Sequence, residues 1–206
     1  GGGILAILIV GLAWWLCPQD WMAWLLTLLS ATLWICIAWF FRDPSRRLPD
    51  HLQPGDLLSP ADGRISAIET VEDHDAVDGG AIIIRIFLSV LNVHVNRMPC
   101  DIEVLETIYT PGRYLDARKP ESAQVNESML TCAKRSDGLR VGIRQISGAI
   151  ARRIICPVRE GQSFSRGDRY GMIKFGSTTE LIIPDDGHVD VCVSVGERVL
   201  GGKTVL

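Results

Sequence analysis

The sequence predicts a mainly β domain, of the sandwich or barrel-like kind, behind an N-terminal hairpin of apolar helices. Three observations carry this reading. Between Ile4 and Phe41 the only formally charged residue is Asp20. From Arg42 onward, short β-rich runs alternate with Gly, Pro and Asp, the punctuation of strands and turns. No segment of that second part sustains a helical period over a convincing length. The 206 residues suit one domain plus an appendage. A net charge of −3, with Lys and Arg scattered, excludes the basic stripe of a nucleic-acid binder.

The apolar region breaks at Cys17-Pro18-Gln19-Asp20. The run 4–16 is short for a crossing, whereas 21–41 has the roughly 20 residues that a hydrocarbon core of about 30 Å requires. Pro18 and Asp20 suit a turn and a helix start. Trp14, Trp15, Trp21 and Trp24 flank it as interfacial aromatics would. Arg42, Arg46 and Arg47 follow directly, and the positive-inside rule puts the domain after them in the cytoplasm. The first run has no basic n-region and no small-residue cleavage site follows the second, which argues against a removed signal peptide. The expected organisation is a spanning or half-inserted anchor at 1–41 and a domain at 42–206.

Within the domain, strands are expected at 64–71, 81–88, 102–109, 139–146, 153–158, 171–175, 180–183 and 189–195. The run Ile82-Ile83-Ile84-Arg85-Ile86-Phe87-Leu88 is apolar nearly throughout and reads as an interior strand. The segment 158–168 is echoed by 193–203, each running strand, Gly-polar, apolar, polar, Gly. Such hairpins look like those of lipoyl- and biotinyl-type β-sandwich domains. A duplicated hairpin and a chance likeness of turns are both open, and both favour β. Of the six cysteines, Cys17 and Cys36 lie in apolar runs. Cys100, Cys132, Cys156 and Cys192 are widely spaced without a CxxC pair. Buried, reduced thiols in a reducing compartment are expected, with no metal site.

Three stretches can carry chemistry. Ser59-Pro60-Ala61-Asp62-Gly63-Arg64 ends in Asp-Gly, alone an ordinary turn signal. Val93-His94-Val95-Asn96-Arg97-Met98-Pro99 sets a His and an Arg just past the interior strand, where side chains commonly reach a site; a lone His is more often structural. Arg169-Tyr170-Gly171-Met172-Ile173-Lys174-Phe175-Gly176-Ser177 places a Gly-Ser pair between strands. Gly tolerates strained backbone, and the Ser hydroxyl there could attack the preceding carbonyl. Gly-Ser by itself has almost no specificity.

Taken together and in order, with Phe40-Phe41-Arg42-Asp43-Pro44 ahead of them, these motifs resemble the short form of phosphatidylserine decarboxylase. Asn126-Glu127 and Ile150-Ala151-Arg152-Arg153-Ile154 are also similar to segments of that family. The resemblance runs from about residue 40 to about residue 184. It implies an inactive precursor in which Ser177 attacks the Gly176 carbonyl and converts the peptide bond to an ester. β-Elimination then splits the chain into a β chain 1–176 and an α chain 177–206. Residue 177 passes through dehydroalanine to a covalent pyruvoyl group, losing ammonia. The resemblance also implies that Asp62 and His94 assist self-cleavage, in a logic similar to a hydrolase triad.

The same resemblance implies the reaction. The substrate amine forms a Schiff base with the pyruvoyl ketone, which accepts the electron pair as CO₂ leaves. An acid then protonates the α-carbon, and His94 is the candidate. Long-form relatives carry a second His where this chain has Arg97, so His94 serves both steps or processing uses another base. Arg97 suits a substrate carboxylate or phosphate, with a structural ion pair equally open; Arg152 and Arg153 suit an anionic bilayer surface. The implied substrate is phosphatidylserine, converted to phosphatidylethanolamine at the cell inner membrane. A serine-headgroup ether lipid is the nearest alternative. A non-enzymatic membrane adaptor would leave the motifs without a purpose. Self-association is open.

Overall fold

A computed structural model describes residues 2–16, 21–149, 153–174, 177–187 and 189–206. The turn expected at Cys17-Pro18-Gln19-Asp20 and the side chain of His188 lie outside these. The chain forms two units, Gly1–Arg42 and Asp43–Leu206.

The first unit pairs α1 (Gly2–Leu16) with α2 (Trp21–Phe40). The indole N–H of Trp14 donates to Thr27 Oγ1 at 3.0 Å. The Trp14 and Trp24 rings meet edge to face at 4.7 Å. Glycine at position 3 permits close approach, since a Cβ there would come within 2.5 Å of the Trp34 ring. Among the described residues, α2 alone is long and apolar enough to cross a membrane; its 20 residues rise about 30 Å. Trp15, Trp21, Leu28, Leu33 and Ile35 stand exposed, an apolar surface larger than water-soluble helices present. At the end of α2 the Arg42 guanidinium lies 4.5 Å over the Trp39 ring and donates to the Trp39 carbonyl at 2.7 Å.

The second unit is mainly β. Its elements are β1 (Gly63–His74), β2 (Gly79–Leu88), β3 (Val95–Arg97), β4 (Ile102–Thr110), the single-turn α3 (Ser122–Val125), β5 (Ser128–Lys134) and β6 (Arg140–Ile146). They continue with β7 (Ile154–Ile155), β8 (Ser163–Phe164), β9 (Arg169–Ile173), β10 (Ser177–Pro184) and β11 (Arg198–Val199). Eight strands form one antiparallel sheet in the order β11-β1-β2-β10-β6-β5-β4-β8, and β3-β9-β7 form a second. The period of two sends Ile84, Ile86 and Leu88 of β2 into the main core with Ile143, Leu181 and Ile183. Ile83 packs on the other face with Ala76, Cys132 and Ile182. Burial on both faces explains why β2 reads as apolar nearly throughout.

The sheet order is palindromic, and the hydrogen bonds repeat across it. In the β1 half, Gly63 pairs with Val199 and Arg64 with Arg198; in the β4 half, Ile102 pairs with Phe164 and Glu103 with Ser163. Gly196 N donates to Ile65 O and Gly161 N to Val104 O, both at 2.8 Å. A bulge follows at Ile65/Ala67 in one half and at Val104/Glu106 in the other. The halves cross through reciprocal bonds, Leu58 N to Pro99 O and Arg97 N to Pro60 O, both 2.9 Å. Gly161 and Gly167 match Gly196 and Gly202, all four at positive φ, where only glycine is unstrained. The echo of 158–168 in 193–203 is therefore a true structural duplication, and it covers most of the domain.

Some expectations differ from the structure. β5 was not foreseen, nor were β3, β8 and β11, each of two or three residues. The segment 189–195, expected as a strand, pairs with no strand among the described residues. Val189, Val191 and Val193 still alternate inward onto the core, so the period came from packing without a ladder. Cys36 and Cys192 are exposed, against the expectation of buried thiols. Cys100 and Cys132 are buried, and desolvation pushes them up to about 12 and about 11, which makes them inert.

Candidate active site

The crossing of the two halves brings the first two motifs together, since Pro60 and Arg97 are joined there. Ser59 Oγ donates to Ala61 O at 2.7 Å and tightens the turn into Asp62. Both oxygens of Asp62 accept from Arg46 at 2.6 Å, and Oδ1 also accepts from Gly201 N at 2.8 Å. The pair is buried, with side chains 9% and 7% exposed. Asp101, the counterpart of Asp62 in the other half, keeps the backbone bond, from Arg166 N, but is exposed. Gly63 is required by close approach: a Cβ there would sit 2.3 Å from Phe87 O. One row beyond the Arg64–Phe87 pair stands Leu88, which pairs with Ser177.

Ser177 opens β10 and is fully buried. Its Oγ has no hydrogen-bond partner among the described residues. Gly176, the other side of the expected scissile bond, lies outside them, as does Arg152. His94 is fully buried, its carbonyl accepts from Ile173 N at 3.4 Å, and its Nδ1 lies 2.9 Å from Asn92 O. A carbonyl only accepts, so Nδ1 carries the proton of this contact. Asp62 precedes β1 and Ser177 opens β10 at the same end of the main sheet, while His94 precedes β3, whose Asn96 reaches Thr179 of β10.

Arg97 lies beside them with its guanidinium engaged: it donates to Asp43 Oδ1 at 2.8 Å, Gly167 O at 3.1 Å and Pro44 O at 3.2 Å. Burial pushes its pKa down, against the pull of Asp43. Asp43 also receives Arg169 at 2.6 Å. The segment that enters the domain is therefore clamped onto Asp62, Arg97 and Arg169 through Asp43 and Arg46. Arg46 was read only as a topology signal and is in fact the partner of Asp62.

A buried polar network lines the same face. Gln145 Nε2 donates to Asn96 Oδ1 at 2.8 Å, and Asn96 Nδ2 donates to Thr179 Oγ1 at 3.1 Å. Gly171 is held small by this contact, because a Cβ would meet Ile155 O at 2.5 Å and the Gln145 amide at 2.9 Å. Thr179 and Gln145 are register partners, so their side chains share a face. Asn126 staples the neighbouring loop, donating to Leu115 O and Ser147 O at 2.9 Å each. Asn96, Thr179, Gln145, Ser147 and Glu127 escaped motif reading as site residues. The available signal was Gln145, which shares the alternating row of β6 with the apolar Val141 and Ile143.

Comparison with known proteins identifies the chain's relatives. The family model described as phosphatidylserine decarboxylase matches residues 33–206, so the likeness extends through the C-terminal hairpin. A phosphatidylserine decarboxylase proenzyme of Rhodopirellula baltica is 43% identical over 188 residues, 90% of this chain and 76% of that protein. A proenzyme of the same name from Desulfotalea psychrophila is 41% identical over 168 residues, 82% and 77% of the two chains. That of Ralstonia nicotianae is 40% identical over 210 residues, 100% of this chain and 90% of the relative. These matches place the chain among the decarboxylase proenzymes. The chain belongs to the phosphatidylserine decarboxylase family.

Proposed function

We propose that this chain cuts itself between Gly176 and Ser177, that Ser177 becomes a covalent pyruvoyl group, and that the processed enzyme decarboxylates phosphatidylserine to phosphatidylethanolamine. The observation that carries this is the Ser177 hydroxyl, buried at the head of β10 with no hydrogen-bond partner among the described residues. A buried hydroxyl without a partner costs about 1–3 kcal/mol, a cost that a purely structural serine has no reason to bear. The surroundings fit the group: Ser147 Oγ and Gln145 Oε1, on the same face, are also buried without partners among the described residues. A pyruvoyl ketone at this point supplies an electron sink for the pair left behind by departing CO₂.

The roles of the chain's own residues follow from their contacts. His94, fixed through Nδ1, offers Nε2 to take the Ser177 proton during processing and to deliver a proton to the substrate α-carbon in turnover. Asp62, oriented by Arg46 and Gly201, acts before cleavage by polarising the serine's surroundings. Arg97 is the candidate for the substrate's anionic group, and this role requires its pair with Asp43 to open. The apolar α2 supports an anchor in the membrane that holds the two-chain lipid. Arg42 and Arg47 support a cytoplasmic side for the domain, at the inner membrane.

The test is release of CO₂ from phosphatidylserine in mixed micelles by the purified, cleaved protein. Stoichiometric phosphatidylethanolamine is the expected product. A cleaved preparation that releases no CO₂ from this lipid overturns the substrate.

A further inference from the structure

The row that holds Ser177 continues across the sheet to a carboxylate that no step above uses. Thr178 pairs with Ile146, and Ile146 with Ser128. One row further along come Ser177, Ser147 and Glu127, and the bond from Ser147 N to Glu127 O at 2.9 Å joins the last two. Residues opposite one another in antiparallel strands share a face. The Glu127 side chain therefore belongs to the face that carries Ser177, Ser147 and, two residues along, Thr179 and Gln145.

Glu127 is 8% exposed. Its Oε1 accepts from Tyr109 OH at 3.0 Å, while Oε2 is buried without a partner among the described residues. Its backbone is held on both sides, N to Arg113 O at 3.0 Å and O to Ser147 N. Arg144, on the opposite face of β6, is turned to Ser128 and Glu180. A buried carboxylate oxygen without a hydrogen-bond partner is costly, so this oxygen suits a cation that arrives from outside. Tyr109, which ends the neighbouring row Thr179-Gln145-Met129 on the same face, is 53% exposed and opens that side to solvent. The bond to Glu127 raises the Tyr109 hydroxyl above its ordinary pKa, so Tyr109 stays a donor and leaves Oε2 to the ligand.

We infer that Glu127, oriented by Tyr109, is the subsite for the substrate's primary ammonium group. This rests on the reading of Ser177 as the source of a reactive carbonyl. An amine reaches the enzyme mainly as R–NH₃⁺, which has no lone pair to attack carbon. Glu127 Oε2 takes a charge-assisted hydrogen bond from it, then accepts one proton, leaving R–NH₂ and a neutral carboxyl group. The charge is conserved and no further reactant is needed. The subsite selects a lipid headgroup bearing a primary amine over one without it.

The experiment uses the full chain as wild type, Glu127→Gln, Glu127→Asp and Tyr109→Phe. Intact mass first gives the cleaved fraction, and phenylhydrazine then counts carbonyls as a mass adduct on the smaller chain. Phenylhydrazine is neutral at pH 7, so its capture needs no carboxylate. A wild-type protein without adduct removes the carbonyl reading itself, separately from the subsite. With adduct formed equally in wild type and Glu127→Gln, the variant is expected to raise KM for phosphatidylserine about 10- to 100-fold, the loss of a hydrogen bond to a charged group. Inhibition by phosphatidic acid, which has no amine, should be unchanged. Glu127→Asp should recover part of the affinity. An unaltered KM in Glu127→Gln, or equal weakening of both lipids, overturns the subsite. Should Glu127→Gln fail to fold or cleave, Tyr109→Phe decides: a raised KM with normal carbonyl capture supports the subsite, and a wild-type KM overturns it.

Discussion

Replacing Ser177 with alanine is expected to leave a single uncleaved polypeptide with no carbonyl and no CO₂ release. The substitution removes one oxygen from a fully buried position where that oxygen has no hydrogen-bond partner among the described residues. No hydrogen bond among the described residues is lost, and the β10 ladder to Leu88 is untouched. Removing an unsatisfied buried hydroxyl relieves a penalty of about 1–3 kcal/mol, so the variant should be at least as stable as the unprocessed parent. Loss of processing therefore cannot be explained by unfolding, and a urea midpoint measured alongside the gel separates the two. A Ser177→Ala chain that still splits at this bond ends the pyruvoyl assignment.

The second large effect is expected at His94. His94→Ala should lower turnover of the cleaved fraction by roughly 10²- to 10⁴-fold, the range for loss of a general acid. If His94 also removes the Ser177 proton during processing, the same variant accumulates uncleaved. Measuring the cleaved fraction before the assay distinguishes the roles. His94 is fully buried, and its Nδ1 bond to Asn92 O fixes the ring, so His94→Gln offers a less disruptive control. A His94→Ala enzyme that cleaves normally and turns over at the wild-type rate contradicts both roles.

Much of the fold was legible because its strands bury one or both faces. The β2 run and the glycines of the duplicated hairpins carry their own signals in composition. β5 was not legible: Ser-Met-Leu-Thr-Cys-Ala-Lys contains several good helix formers, and it is a strand because β4 and β6 flank it. The two-residue strands β8 and β11 are too short for any periodic signal. The site was legible along the chain and hidden across it. Asp62, His94 and Ser177 stood out through motifs, whereas the pairing of Arg46 with Asp62 and the shared sheet face of Glu127 and Ser177 exist only in the folded register. Gly63 looked like a turn residue and serves instead to let β1 approach Phe87. Arg97 was read toward a substrate anion, and its contacts with Asp43, Pro44 and Gly167 became visible only once the entry segment was placed.

The duplication gives the site a physical origin. Two similar halves cross at Pro60 and Pro99, and their symmetry is broken where chemistry is proposed. Asp62 acquires Arg46 and burial, while Asp101 stays at the surface. Ser177 stands at the start of β10; β6, the counterpart of β10, starts at Arg140.

The measurement that bears most directly on Ser177 is the intact mass of the purified wild-type protein, before and after phenylhydrazine. The account predicts two polypeptides, divided between residues 176 and 177, with one hydrazone on the smaller chain and none on the larger. A single chain, or a smaller chain that begins at residue 177 with an ordinary amino-terminal serine and takes no hydrazone, would contradict it.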